Sequence, residues 1–177
     1  MATGGRSAYR PGMEQLDRPA AAVGEADDAI EGQPAVRDAD AILARAASDQ
    51  AAASAARDRY RTQAMPVLEP DARIAPLLVR DEQVVALRRG AVFDRRQHGR
   101  GSGVPAGIAG ALYLTARRLV LVGRVTLSVD LTVIEEVGLS GGRVVLVLRD
   151  GTSVLVEVAQ PRLLRVEIAA ARASAKV

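Results

Sequence analysis

The chain has 177 residues, 49% of them hydrophobic by residue type and 25% charged, with a formal net charge of +3 at pH 7. That length accommodates one ordinary domain, or a small domain with a long appendage. With no cysteine and a single histidine, disulfides, thiol catalysis and Cys/His metal sites are excluded, and a reducing, cytoplasmic setting is expected.

The charge is unevenly placed. Through Met65 eight arginines stand against ten carboxylates, whereas the remainder carries sixteen basic against eleven acidic groups. An isoelectric point near 9.9 raises nucleic acid or an anionic membrane surface as partners. Lys176 is the only lysine and Ala, Arg, Val, Asp and Gly are used heavily, so the arginines read equally as the coding bias of a GC-rich genome. The opening MATGGRSAYR has no apolar run of the kind a signal peptide needs. The most apolar window, 105–123, contains Arg117 and Arg118 and is not a membrane span.

Taken in chain order, residues 1–36 hold Gly, Pro, Asp and Ala with almost no large apolar groups. Such a segment buries too little surface to offset its conformational entropy, and a disordered tail is expected. Residues 37–65 form an Ala-rich unit without Gly or Pro, read as one helix over 38–64. Its large apolar residues are few, Ile42, Leu43, Tyr60 and Met65, so it is marginal alone or packed on something else. Residues 66–76, with Pro66, Pro70 and Pro76, read as a linker, and a domain over 77–177 follows.

Within that domain the pattern predicts a strand over 84–93, bulged at Gly90, and then the loop DRRQHGRGSGVPAG over 94–107. Strands are predicted over 111–115, 118–122, 125–129, 132–139, 144–149 and 153–158. Gly123-Arg124, Gly141-Gly142 and Asp150-Gly151 are the expected turns, the last as a type I′ hairpin with positive φ at both positions. Pro161 sits where a first helical turn begins. Over 162–173, Leu164, Ile168 and Ala171 make one stripe, with Leu163, Val166 and Ala170 beside it and Arg162, Arg165 and Arg172 facing away. The fold class is therefore mainly β: a seven-stranded antiparallel barrel or sandwich capped by one C-terminal helix, preceded by an Ala-rich helix and a disordered tail.

Seven strands and a terminal helix resemble the pleckstrin-homology plan, and the local wording resembles its bacterial GRAM-type relatives. The resemblance rests on LYLTARRL at 112–119, on Ser128-Val129-Asp130-Leu131 with Ile134 and Val137, on Arg149-Asp150-Gly151 before Val154, and on Leu163-Leu164. It covers roughly residues 77–174. It implies a docking domain, with some members binding anionic lipids and many binding proteins. The lipid binders use basic residues around the loop joining the first two strands, which here are Arg95, Arg96, His98 and Arg100, with Arg88 and Arg89 on the strand before. The loop lacks lysine, and the closing helix lacks the family's common tryptophan.

From Arg88 to Arg124 there are eight arginines against one carboxylate, Asp94. A candidate anion or lipid site collects Arg88, Arg95, Arg96, His98, Arg100, Arg117 and Arg118, because the planar guanidinium binds oxyanions two-pronged. Set against it is a solvated, flexible loop, and alternation puts Arg88 and Arg89 on opposite faces of their strand. Gly99-Arg100-Gly101-Ser102-Gly103 is followed by Pro105 and a strand rather than a helix, which does not fit a dinucleotide or phosphate loop. His98, Asp94 and Ser102 share one Gly-rich loop, too loose a frame for a catalytic triad. Glu135 and Glu136 are strand neighbours and point to opposite faces, so they form no acid/base pair. Four aromatics, Tyr9, Tyr60, Phe93 and Tyr113, offer no stacking platform for single-stranded nucleic acid.

The expected protein is non-enzymatic and cofactor-free, an adaptor docking on a protein partner through the Ala-rich helix or a sheet edge. The alternative is peripheral binding of an anionic lipid or phosphate through the Arg95–Arg100 loop, at the inner face of a membrane. Nucleic acid is not the expected partner. Self-association through the helix and masking of the arginine loop by the Asp-rich tail stay open.

Overall fold

The computed structural model describes residues 33–97 and 107–175. The predicted alternation becomes seven strands: β1 (Val84–Gln97), β2 (Ile108–Thr115), β3 (Arg118–Gly123), β4 (Thr126–Asp130), β5 (Ile134–Ser140), β6 (Arg143–Leu148) and β7 (Thr152–Glu157). Helix α1 (Gln33–Tyr60) precedes them and helix α2 (Pro161–Ser174) closes the chain. The strands form one antiparallel sheet in the order β4-β3-β2-β1-β7-β6-β5. The predicted fold class, seven antiparallel strands and a C-terminal helix, is the one the chain adopts.

β1 holds the two halves of the sheet together. It pairs with β2 from Val84↔Thr115 to Phe93↔Ile108, and its second half also pairs with β7, from Val92↔Glu157 to Gln97↔Thr152. Between Arg88 and Ala91 the register slips at Gly90, whose φ of +69° suits a residue without Cβ. The bulge foreseen there bends β1 and lets one sheet wrap a single core. The 94–107 stretch, expected as a loop throughout, is part sheet: β1 continues to Gln97 because β7 offers it a second row of hydrogen-bonding partners, and β2 starts at Ile108. Residues 98–106 lie outside the described residues.

One turn differs in type from the sequence reading. Gly141 and Gly142 both have positive φ, +55° and +74°, as a two-residue I′ hairpin requires. At Asp150-Gly151 only Gly151 is positive, at +76°, and its N–H bonds the Leu148 carbonyl at 2.9 Å. The turn therefore centres on Arg149-Asp150 and ends on a left-handed glycine, while Asp150 Oδ1 accepts the Thr152 N–H at 2.9 Å. The expected I′ turn is corrected because the Asp side chain makes its bonds without entering the left-handed region.

Alternation then sorts the faces. Leu112, Leu114, Leu119, Leu121, Val144, Leu146, Val154 and Val156 point inward and bury against Leu164, Ile168 and Ala171 of α2. On the outer face of β1–β3, Val84, Ala111, Tyr113 and Val120 form a second cluster with Ile74, which is fully buried. The chain over 66–79 covers that cluster: Leu68 bridges Val84, and a 3-10 turn spans Ala75–Leu77. Of the helical arginines expected to face away from the core, only Arg165 is exposed, and Arg162 and Arg172 are half-buried. Arg162 donates to the Ala46 carbonyl and Arg172 to the Ile134 carbonyl.

Helix α1 starts five residues before the predicted 38, at Gln33, since a proline such as Pro34 is tolerated in a first helical turn. It ends at Tyr60, where Thr62 N and Gln63 N both bond the Arg59 carbonyl. Residues 1–32, most of the expected tail, lie outside the described residues. No described helix is long and apolar enough to cross a membrane.

Candidate functional site

Of the seven basic residues singled out from the sequence, Arg88 and Arg118 are held in two separate ion pairs. Arg88 turns inward at the bulge, and its Nη2 lies 2.7 and 2.6 Å from Oε1 and Oε2 of Glu167 on α2. Burial pushes the Glu167 carboxyl above its ordinary range, and the adjacent Arg88 guanidinium opposes that only in part. Arg118, at the β2–β3 turn, donates from Nε and Nη2 to the two oxygens of Glu82, each at 2.9 Å, and from Nη2 to the Leu77 carbonyl at 2.7 Å. Glu82 pays a burial penalty, but its bonds from Arg118, the Val79 N–H and the Thr115 hydroxyl outweigh it and hold the carboxyl below its ordinary range.

Arg117 is exposed at the same turn, next to the start of β1. Arg95 and Arg96 sit at the other end of β1, where their backbones pair with Val154 and Ser153. At roughly 3.3 Å per residue nearly the whole strand separates them from Arg117 and Arg118. His98 and Arg100 lie outside the described residues. Arg89, on the opposite face from Arg88 as alternation requires, lines an outer groove with Arg73 and Arg124.

Two features suit a macromolecular partner. β4 and β5 are the end strands of the sheet and do not pair with each other, so the barrel is open between them. Beside β4 the opening is a cleft of about 350 Å³, walled by Phe93, Leu127, Val129, Val133, Leu148 and Val154. Asp130, Arg149 and Asp150 stand on its rim. At the corner after β4, Leu131 N bonds the Arg117 carbonyl, and Arg149 N bonds the Val133 carbonyl. Glu135 and Glu136 are both exposed on β5, where the register shift after Ile134 makes Glu135 the extra residue.

The second feature is α1. Its later half is clamped to α2 by Asp49, whose Oδ2 accepts the Arg162 N–H at 2.9 Å and whose Oδ1 accepts the Leu163 N–H at 3.0 Å. Ala53 and Ala56 bury on the same side. Upstream, Ile42 and Leu43 remain 63% and 67% exposed.

Sequence reasoning missed the partners of the arginines. Glu167 falls at i+3 from Leu164 and i−4 from Ala171, inside the apolar stripe, and a carboxylate at such a position calls for a buried cation. Nothing in the local pattern marks Glu82, Asp49 or Asp71, whose partners are distant in the chain. Among the described residues, no three His, Cys, Asp or Glu side chains cluster as metal ligands.

An antiparallel seven-stranded sheet packed against a C-terminal helix and open between its two end strands is a pleckstrin-homology-like architecture. Among solved structures, the chain is similar to the Vps36 N-terminal PH domain, at 18% identity and a TM-score of 0.41 over 58% of this chain and 92% of that one. It is also similar to the C-terminal domain of an unknown protein from Leishmania infantum, at 14% identity and a TM-score of 0.41 over 52% of this chain and 85% of that one. No protein-family model matches the sequence, and no curated protein does.

Proposed function

We propose that this chain is a non-catalytic docking module that receives an extended segment of a protein partner along the free edge of β4. The observation that carries the reading is an end strand lying beside an apolar cleft. A segment laid along β4 satisfies the edge N–H and C=O groups, and its alternate side chains enter the cleft. Backbone bonds then supply affinity and the cleft supplies selectivity for apolar residues. In this reading the module works in the cytoplasm, free or at the inner face of a membrane.

The exposed pair Ile42 and Leu43 supports a second docking point, with α1 held rigid by Asp49 as a handle for a helical partner or another copy of the chain. The anionic alternative at Arg95, Arg96 and Arg100 adjoins the cleft in sequence, since Arg95 pairs with Val154 on the cleft wall.

The test places a photo-crosslinking residue at Ser128 in the full-length chain, with position 42 as a second reporter and exposed position 165 as the control. Capture at 128 that disappears when Val129→Lys puts a charge into the cleft supports strand addition. Capture confined to 42 moves the docking site to α1. Capture at 128 that tolerates Val129→Lys, in a variant whose circular dichroism and melting stay native, ends the β4 reading. Salt-sensitive sedimentation with anionic vesicles, lost in Arg95→Ala/Arg96→Ala/Arg100→Ala, would favour the membrane alternative.

A further inference from the structure

Arg73, Arg89 and Arg124 are far apart in the chain, yet they line one groove of about 910 Å³ on the outer face of β1–β3. Each arrives there for a separate reason. Arg73 follows Asp71 in the turn that covers the outer cluster. Arg89 is carried to the outer face just before the Gly90 bulge, and Arg124 projects from the turn between β3 and β4.

The groove's carboxylate is already engaged. Asp71 Oδ1 accepts the N–H groups of Arg73 and Ile74 at 3.0 and 3.2 Å, and Oδ2 accepts the Tyr113 hydroxyl at 2.7 Å. Arg88, Arg118 and Arg143 each have a carboxylate partner. Among the described residues, the guanidiniums of Arg73, Arg89 and Arg124 make no side-chain hydrogen bond or close ion pair, and Arg73 acts on Asp71 only as the weakest of the influences that lower its carboxyl. The lining thus carries two positive charges in excess.

The floor is apolar, built from Leu87, Ala111, Tyr113 and Val122. At its end Gly110 and Gly123 face each other across β2 and β3. A Cβ on Gly110 would stand 2.5 Å from the Val122 carbonyl oxygen, and one on Gly123 would overlap that of Ala109. No side chain therefore fills the space between the arginines.

We propose that this groove binds a phosphate monoester. Its dianion matches the excess charge, and guanidinium forks grip tetrahedral oxyanions two-pronged. The volume exceeds that of bare phosphate, so the ester's organic body lies over the apolar floor. Tyr113 is only 2% exposed, which removes the stacking surface a nucleic-acid strand needs. The groove lies on the opposite face of the sheet from the β4 cleft, so the inference stands or falls separately from strand docking.

The ester has two sources, soluble and membrane-borne, and the experiment separates them. The full-length chain is titrated at low salt with inorganic phosphate and with fructose 1,6-bisphosphate, followed by calorimetry. It is sedimented in parallel with phosphatidylcholine vesicles, with and without phosphatidic acid. Binding of the sugar phosphate, of the phosphatidic acid vesicles or of both is expected, falling as salt rises. Arg89→Gln/Arg124→Gln is expected to weaken it by roughly tenfold or more, the loss of charge-assisted bonds, and Arg165→Gln, at an exposed position on α2, to leave it unchanged. Failure of the wild-type chain to bind either ester overturns the proposal. So does a double variant that binds as well as the wild type, its melting temperature showing that it folds.

Discussion

Arg88 and Glu167, 79 positions apart, meet between the sheet and α2, with one guanidinium nitrogen of Arg88 shared by both carboxylate oxygens. Their side chains are 17% and 8% exposed, and Arg88 Nε is buried without a partner among the described residues. A buried pair with an unmet donor recovers less than its desolvation costs. Arg88→Met alone strands Glu167 and is expected to cost about 3–5 kcal/mol. Arg88→Met/Glu167→Leu is expected to return most of that loss in urea unfolding. A double variant as unstable as the single one would mean that the charge pair itself holds α2 in place.

Asp49 does for α2 what its own flanking residue does not, since Gln160 makes no side-chain cap bond. A carboxylate at a helix N-terminus bonds free N–H groups and meets the positive end of the helix dipole. Asp49→Ala is expected to cost about 1–2 kcal/mol and to speed amide exchange at Arg162 and Leu163 and through α1. Unchanged exchange in α1 would show that Ala53 and Ala56 alone dock the helix.

Glu82 gives the fold a direction of pH dependence. Its carboxyl is held below the ordinary range in the folded chain, its burial outweighed by bonds from Arg118, Val79 and Thr115. The stability it contributes is therefore fully present above the ordinary carboxylate pKa and is lost as pH falls through the depressed folded value. Thermal melts from pH 7 downward should show an acid-side decline that is shallower in Glu82→Gln. Parallel declines in the two proteins would assign acid sensitivity to other carboxylates.

Ile74 is fully buried in a segment that reads as a linker in the sequence. Ile74→Ala is expected to cost about 2–5 kcal/mol, as truncation in a packed core does. A loose tether would show a change within about 0.5 kcal/mol, and denaturant unfolding distinguishes the two.

The strands and the closing helix are legible in the sequence because they rest on local pattern: short apolar runs in β2 and β3, alternation in β4 and β6, glycines at the three later hairpin turns, and the stripe Leu164–Ile168–Ala171. Where the reading slipped, hydrogen bonds that the apolar pattern does not carry had intervened. β1 runs past Phe93 because β7 lies alongside, and Asp150 keeps negative φ because its side chain bonds Thr152.

The basic residues mark the same divide. Charge and residue type fix where arginines occur, but sequence spacing cannot tell a free guanidinium from one held by a carboxylate dozens of residues away. Folding took Arg88 and Arg118 into ion pairs with Glu167 and Glu82, and brought Arg89 and Arg124 to Arg73 on an outer face. The sequence by itself determined the elements, where the chain turns between them and the alternation of faces, since these depend on neighbours along the chain. Only the tertiary structure decided which charges are neutralised and which stay available, because Coulomb energy and desolvation depend on distance in space.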